Sequence, residues 1–259
     1  MPQARKRFGQ HFLHDPGVIA RIVAAIAPRP GQRLVEIGPG RGALTQYLLR
    51  ACGRLDVIEI DHDLAGALET TASDQPGLTV HLSDALQFKF ARLADPGGKL
   101  RIVGNLPYNI STPLIFHLLE QAACIQDMVF MLQKEVVDRL AAAPGNRDYG
   151  RLSVMVQYRC RAEKLFDVGR GAFHPPPKVT STVVRLQPFA RGATEQIEDE
   201  RRFADLVRLA FSARRKTLRN ALGGTGAESA FAAAGIDPVR RPETLGVEEF
   251  VRLCNAISD

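Results

Sequence analysis

Strand-like and helix-like segments alternate along the first half of the chain, and this alternation constrains the fold more than any other feature. Short apolar runs predict strands over residues 32–39, 55–60, 78–82, 100–103 and 128–132. Amphipathic stretches predict helices over residues 43–52, 63–71, 111–123 and 134–143. Strands that alternate with helices in this way are typical of a parallel sheet covered on both faces. We therefore predict an α/β fold.

The rhythm changes after Tyr158. Two further strands are predicted on either side of the Pro175–Pro177 turn, where they can pair antiparallel at one edge of the sheet; they cover residues 164–168 and 182–186. Beyond a polar stretch, only helices are predicted, over residues 203–212, 214–222, 228–234 and 247–256. We expect one domain over residues 1–188 and a small all-helical domain over residues 189–259.

The charge balance favours a polyanionic partner. The chain has 34 Lys and Arg against 28 Asp and Glu, a formal net charge of +6, which attracts polyanions over a Debye length. The basic residues cluster at residues 5–7, 147–161 and 214–219, and most of them are arginines, whose planar guanidinium suits phosphate. Any one of these clusters alone is also typical of a solvent-exposed face.

Other sequence features argue against several classes of protein. No apolar run is long enough to cross a membrane, and no apolar segment follows the basic start as it does in a signal peptide, so we expect a cytoplasmic protein without membrane contact. The four cysteines are far apart in the sequence. They predict neither a disulfide framework nor a metal site.

A glycine-rich loop lies where the first predicted strand turns into the first predicted helix. Residues 35–42 read VEIGPGRG, and glycines there permit positive φ and close approach of a ligand to the backbone. Gly38, Gly40 and Ala43 also fit the G-x-G-x-x-G/A dinucleotide pattern. The loop alone therefore does not distinguish NAD from S-adenosylmethionine.

Two acidic residues end the next two strands. Glu59 stands where a carboxylate reaches the ribose hydroxyls of a bound nucleotide, and Asp61 can serve equally on sequence grounds. Asp84 can accept a hydrogen bond from an adenine amino group while the Ala85 N–H donates to the ring, or it can cap the segment that follows. Together with the glycine loop, these positions predict a nucleotide cleft at the carboxyl edge of the sheet.

The fourth strand ends with Asn105-Leu106-Pro107-Tyr108. This segment matches the motif of amino methyltransferases, which act on exocyclic amines of adenine, cytosine or glutamine. The Asn105 side-chain oxygen and the Leu106 carbonyl can accept hydrogen bonds from such an amine and localise its lone pair. Pro107 biases Leu106 to an extended conformation, and Tyr108 offers a ring for base stacking.

Motifs along nearly the whole chain resemble those of the ribosomal RNA adenine N6,N6-dimethyltransferases, the KsgA/RsmA family. The resemblance rests on residues 6–13 (KRFGQHFL), 35–42, 57–61, 84–85, 105–108, 173–179 (FHPPPKV) and 211–220 (FSARRKTLRN).

The family resemblance implies a Rossmann-like class I methyltransferase sheet and S-adenosyl-L-methionine as cofactor. It implies dimethylation of two adjacent adenosines in the 3′-terminal hairpin of 16S rRNA during biogenesis of the small ribosomal subunit, and we expect a monomer. The opening segment would fold over the cofactor. The cofactor-binding residues would be Gln10, His11, Leu13, Gly38, Gly40, Glu59, Asp84, Ala85 and Asn105.

The resemblance also assigns residues to the RNA. Phe173 would lie on the face of the target base opposite Tyr108. The residues that contact RNA would be Arg214, Arg215, Lys216 and Arg219. Two positions depart from the family pattern: His11 replaces the usual Asn, and Thr180 replaces a common Asp.

Three alternatives remain open at the level of sequence. The macrolide-resistance methyltransferases, which act on large-subunit rRNA, share the Q-N-F-L and N-[IL]-P-Y signatures. A second alternative is an RNA-binding assembly factor whose catalysis is secondary or lost, although Glu59, Asp84 and Asn105 are all present. An NAD-dependent oxidoreductase would explain the glycine loop but would leave residues 105–108 without a role.

Overall fold

The structure is a computed structural model that describes residues 10–73, 75–190, 196–212, 216–223 and 227–257. The chain divides into two compact units. The first extends to Val137 and includes Glu163–Pro188, and the second combines Asp138–Ala162 with the chain from Phe189 onward.

A seven-stranded sheet, counted over the described residues, contains most of the strands. They are β2 (Arg33–Ile37), β3 (Leu55–Glu59), β4 (Leu78–Leu82), β5 (Leu100–Asn105), β6 (Ile125–Gln133), β7 (Cys160–Val168) and β9 (Ser181–Pro188). Their spatial order is β4-β3-β2-β5-β6-β9-β7. The five strands from β4 to β6 are parallel, and β9 pairs antiparallel with β6. The predicted parallel sheet with added edge strands is confirmed.

The helices of the first unit, apart from the first, follow the predicted alternation. They are α1 (Pro16–Ile26), α2 (Thr45–Cys52), α3 (His62–Ser73), α4 (Ser111–Glu120) and the start of α5 (Lys134–Leu140). The buried faces of α1 and α2 join the core that covers the sheet through Ile22, Ile26 and Leu48. None of the described helices is long and apolar enough to cross a membrane.

The sequence analysis did not predict α1 as a helix. The Asp15 carboxylate accepts a hydrogen bond from the Val18 amide at 2.9 Å, and Pro16 occupies the first turn, so both signals of a helix start are present. A two-residue strand, β1 (Phe12–Leu13), precedes this helix and pairs antiparallel with β8 (Phe173–His174). We call residues 10–14 the N-terminal strap.

The second unit has a helical core of its own. It contains α6 (Arg151–Gln157), α7 (Glu200–Ala210), α8 (Leu218–Ala221), α9 (Ala227–Ala234) and α10 (Val247–Ala256). The sequence analysis placed residues 138–162 in the first domain, whereas the structure groups them with this unit. The reason is hydrophobic packing, because Tyr149 and Val154 are buried in the same cluster as Phe203 and Phe250.

A buried ion pair ties the end of α1 to the sheet. Arg101 of β5 donates to both carboxylate oxygens of its cross-strand neighbour Asp127, at 2.7 and 2.9 Å, and both residues are buried. The same guanidinium donates to the carbonyls of Ile26 and Ala27, at 2.7 and 3.3 Å. This network therefore holds the C-terminal end of α1, the helix that follows the strap.

We expect Arg101→Ala to lower the free energy of unfolding by about 3 kcal/mol, since it leaves the Asp127 carboxylate buried with its hydrogen bonds to Arg101 lost and the Arg185 guanidinium 3.9 Å away. Urea denaturation at neutral pH measures the loss. The exposed Arg92→Ala is the matched control, and equal midpoints for the two variants would contradict the prediction.

Candidate active site

A cleft lies at the carboxyl edge of the sheet in the first unit. The strand order reverses between β2 and β5, and in open α/β sheets ligands bind where the order reverses. The cleft is concave and open to solvent at its mouth, as small-molecule sites usually are. Its lining comes from the strap, the glycine loop, the end of β3 and residues 105–108.

The glycine loop depends on backbone conformations that side chains rarely allow. Gly38, Gly40 and Gly42 all have positive φ, of 65°, 57° and 77°, so a residue with a Cβ would be strained at each. At Gly40 an added Cβ would also lie 3.3 Å from the Phe12 ring of the strap. The loop therefore brings bare backbone to the cleft, as the sequence predicts.

Glu59 lies in the cleft with its carboxylate held by backbone amides. Its Oε1 accepts from the amides of Ile60 and Asp61, at 2.9 and 3.0 Å, and its Oε2 accepts from Gly40 at 3.2 Å. A carboxylate has about four acceptor positions, so Oε2 retains one for a ligand hydroxyl. Burial raises the pKa of Glu59, and the three amide hydrogen bonds oppose that rise.

The choice between Glu59 and Asp61 is decided by their contacts. Glu59 lines the cleft, whereas the Asp61 carboxylate accepts hydrogen bonds from the Asp63 amide at 3.0 Å and from the Gln10 side chain at 3.2 Å. Asp61 therefore starts α3 and fastens the strap.

Asn105 is oriented by the strap. Its Nδ2 donates to the backbone carbonyl of His11 at 3.0 Å. Since a carbonyl only accepts, this contact fixes which end of the amide faces the strap, and Oδ1 must point the other way. None of the hydrogen bonds among the described residues uses this Oδ1 or the Leu106 carbonyl, and both residues line the cleft.

The backbone before Asn105 requires glycine. A Cβ on Gly104 would lie 2.4 Å from the carbonyl oxygen of Ile37 in β2, which is closer than real contacts allow. The absence of a side chain at Gly104 thus lets the ends of β2 and β5 approach, and this approach places Asn105 beside the glycine loop.

Tyr108 completes the segment. Its hydroxyl shares a hydrogen bond of 2.8 Å with Ser181, and the His11 ring lies beside its ring, with centroids 5.7 Å apart. His11, the residue that departs from the family pattern, also donates from Nδ1 to the Pro175 carbonyl at 2.8 Å. Burial raises the pKa of the Tyr108 phenol, so it stays neutral at physiological pH.

Glu36 and Ile60 line the cleft but were missed by the sequence analysis. The Glu36 carboxyl is buried, accepts a hydrogen bond from Thr45 at 2.7 Å, and has its pKa raised to about 7, chiefly by burial and additionally by repulsion from Glu59. Ile60 is 48% exposed, which makes it an apolar wall for a flat ring. A strand-end Ile and a strand Glu carry no distinctive sequence signal.

Not every predicted residue lies in the cleft lining. Asp84 lies two residues beyond the end of β4, and its carboxylate accepts from the Leu86 amide at 2.9 Å and so caps the next turn. Neither it nor the buried Ala85 is among the lining residues that the structure describes. Their contact with a cofactor stays a prediction.

Phe173 also lies elsewhere than predicted. It is 3% exposed, belongs to the core cluster, and is the β8 partner of Leu13. The ring that the structure places beside Tyr108 is His11. The pairing of β8 with the strap explains the difference, because it turns the Phe173 side chain into the core.

The predicted RNA residues belong to the second unit. Lys216 and Arg219 are exposed, as a phosphate-binding role requires. Arg214 and Arg215 lie outside the described residues.

Comparison with known proteins decides the family. The sequence profile described as "Ribosomal RNA adenine dimethylase" matches residues 1–259. The chain belongs to this family. It is therefore an rRNA adenine methyltransferase with S-adenosylmethionine as cofactor, and the alternative of an NAD-dependent oxidoreductase is excluded.

The relatives are similar over nearly their whole length. "Ribosomal RNA small subunit methyltransferase A" of Pseudomonas aeruginosa is 58% identical over 99% of this chain and 96% of its own, and that of Chromohalobacter salexigens is 57% identical over 99% and 92%. Among solved structures, a dimethyladenosine transferase from Plasmodium falciparum is 26% identical with a TM-score of 0.78, over 94% of this chain and 96% of its own. The 23S rRNA methyltransferase ErmE is 28% identical with a TM-score of 0.71, over 95% and 99%.

The described residues fit the cofactor. The glycine loop leaves space at the backbone, and Glu59 retains one acceptor position for a ligand hydroxyl. None of the described residues forms a cluster of His, Cys, Asp and Glu that could hold a metal ion.

We expect Glu59→Gln to weaken binding of S-adenosylmethionine roughly 10- to 100-fold, because the amide NH₂ would face, as a second donor, either the Gly40 amide or the amides of Ile60 and Asp61. Isothermal titration calorimetry measures the dissociation constant. Glu69→Gln, on the exposed face of α3, is the control, and unchanged affinity in Glu59→Gln would contradict the assignment.

Glu36 makes stability depend on pH. Its folded pKa of about 7 exceeds the unfolded value of 4.5, so the folded state holds the proton more tightly and unfolding becomes easier as the pH rises through this range. Glu36→Gln removes this dependence. Without cofactor, the free energy of unfolding of Glu36→Gln minus that of the unmodified protein should rise by on the order of 2–3 kcal/mol between pH 4.5 and pH 7.5 and then level off.

Urea denaturation at a series of pH values measures this difference. The exposed Glu69→Gln should give a flat difference over the same range. A flat difference for Glu36→Gln as well would show that the Glu36 carboxyl titrates normally in the folded protein.

Proposed function

We propose that this protein dimethylates the N6 amino groups of two adjacent adenosines in the 3′-terminal hairpin of 16S rRNA, as a cytoplasmic monomer acting on a precursor of the small ribosomal subunit. The observation that carries the proposal is the orientation of Asn105. The His11 carbonyl fixes the amide nitrogen, which leaves the amide oxygen to receive an exocyclic amine beside the cofactor cleft.

Positioning is the central task of the residues in the cleft. The target adenine stacks on Tyr108, an interaction worth ~1–3 kcal/mol. Its amino hydrogens are accepted by the Asn105 Oδ1 and the Leu106 carbonyl, which draw the nitrogen toward tetrahedral geometry and localise its lone pair. Holding nucleophile and methyl group in line supplies much of the rate enhancement.

Charge stabilisation is the second task. The bound cofactor supplies an activated methyl group on a sulfonium cation. The two acceptors at residues 105 and 106 favour the positive charge that develops on the amine. The methylated amine then loses its proton to solvent, so no side chain with a shifted pKa is needed as a base.

We further propose that the helical unit binds RNA through phosphate contacts from Arg214, Arg215, Lys216 and Arg219. The target adenosine must leave its stack to reach the cleft, at a cost of a few kcal/mol. Recognition by RNA shape and phosphate charge makes binding weaken as salt increases.

The relatives favour the small subunit as substrate. Those named as small subunit methyltransferases are 54–58% identical to the chain, whereas the 23S rRNA methyltransferase ErmE is 28% identical. The presence of both Glu59 and Asn105 in the cleft supports an active enzyme rather than an assembly factor with lost catalysis.

We expect Asn105→Ala to reduce methyl transfer at least about 100-fold, because removing one hydrogen-bonding group that is aimed at the charge developing in the transition state costs about this much in other enzymes. RNA binding should stay near that of the unmodified protein, since the substitution touches no proposed phosphate contact. The assay incubates unmethylated small subunits with labelled S-adenosylmethionine and locates the label by mass mapping, with binding followed separately.

Two results would count against the proposal. Undiminished methylation by Asn105→Ala would overturn the role of that amide. Label that the unmodified protein places only in large-subunit RNA would overturn the choice of substrate in favour of the resistance-type activity.

A further inference from the structure

A buried hydroxyl outside the recognised motifs contacts the proposed base-stacking residue. Ser181, the first residue of β9, is fully buried, and its Oγ lies 2.8 Å from the Tyr108 hydroxyl. β9 is firmly placed there, because Ser181 is in register with Gln133 of β6 and the Lys134 amide donates to the Thr180 carbonyl at 2.9 Å.

The hydrogen bond holds Tyr108 at the far end of its side chain. At the near end, Pro107 restricts the backbone, and the Ser111 hydroxyl donates to the Tyr108 carbonyl at 3.1 Å. A tyrosine ring turns about only two side-chain torsions. Fixing the hydroxyl at Ser181 fixes the direction of the ring axis, and because the hydrogen-bonding directions of a phenolic oxygen lie near the plane of its ring, this contact also limits rotation of the ring about that axis.

The plane of the Tyr108 ring determines where a stacked base presents its amine. A base that tilts with a loose ring moves its amino group away from the Asn105 oxygen and out of line with the methyl group. A misplacement of 1 Å can cost 100-fold in rate. The second transfer is more sensitive, because the monomethylated amine has one fewer hydrogen for the two acceptors and must fit an additional methyl group.

We propose that Ser181 is a positioning residue for methyl transfer, which holds the Tyr108 ring in the orientation that aligns the target base. The inference rests on the proposed function of the cleft. Ser181 acts through Tyr108 and does not itself touch the substrate. It lies in the segment that follows the proline-rich turn, where no sequence pattern distinguishes this serine from its neighbours.

The experiment is a double-mutant cycle in the full-length protein. Ser181→Ala and Tyr108→Phe remove the same hydrogen bond from opposite ends, so the two single variants and the double variant should lose the same activity. We expect kcat to fall about ten-fold in all three, with an unchanged KM for S-adenosylmethionine. A larger fraction of monomethylated adenosine should accumulate at equal total turnover.

Thr182→Ala is the matched control. Thr182 is the next residue of β9 and is also fully buried, but its hydroxyl donates to Asp167 at 2.7 Å, on the opposite face of the sheet. It should lose a similar amount of stability as Ser181→Ala while keeping kcat and the ratio of monomethylated to dimethylated product.

Three results would overturn the inference: additive effects of the two substitutions, full activity in Tyr108→Phe, or the same product ratio in Thr182→Ala as in Ser181→Ala. If Ser181→Ala does not fold, Tyr108→Phe alone decides, since it removes the hydrogen bond and leaves the buried serine in place. All variants are compared on whichever ribosomal RNA the unmodified protein labels, so an error in the proposed substrate is seen separately.

Discussion

The parallel pairing of β2 with β5 is the constraint on which the site depends. At this pairing the strand order reverses, so the glycine loop and the segment of residues 105–108 leave the sheet side by side. The pairing is close enough that Gly104 tolerates no Cβ beside the Ile37 carbonyl. The ends of β2 and β5 thereby form both the cofactor cleft and the Asn105 acceptor for the target amine. The end of β3 supplies the Glu59 carboxylate, and β9 supplies the Ser181 hydroxyl that contacts Tyr108.

The strap orients the Asn105 side chain, which the sheet alone does not do. Its backbone carbonyl at His11 orients the Asn105 amide, and its antiparallel pairing with β8 anchors it to the segment before the proline-rich turn. The network of Arg101 and Asp127 holds the helix that follows. The orientation of one side-chain amide therefore depends on contacts that extend from the opening of the chain to its second half.

Sequence patterns were sufficient for the sheet and for the residues that end its strands, because buried strands are continuous apolar runs and parallel strands share one edge. Glu59 and Asn105 could be placed in this way. The burial of Glu36 could not, since it depends on Thr45 and on packing from other elements. Phe173 was misplaced because a two-residue strand has no periodicity from which its pairing with Leu13 can be predicted. Helix α1 was missed although Asp15 and Pro16 mark its start, and the buried Ile19, Ile22 and Ile26 recur at helical spacing.

The contact between the strap and Asn105 has a consequence for the timing of repeated turnover. A dimethylase must exchange its spent donor before each further transfer. If the strap moves away from the cleft during that exchange, the His11 carbonyl moves with it, and the Asn105 amide can then rotate. Binding of the donor and orientation of the Asn105 oxygen would then occur together, and the enzyme with its strap open would not transfer a methyl group.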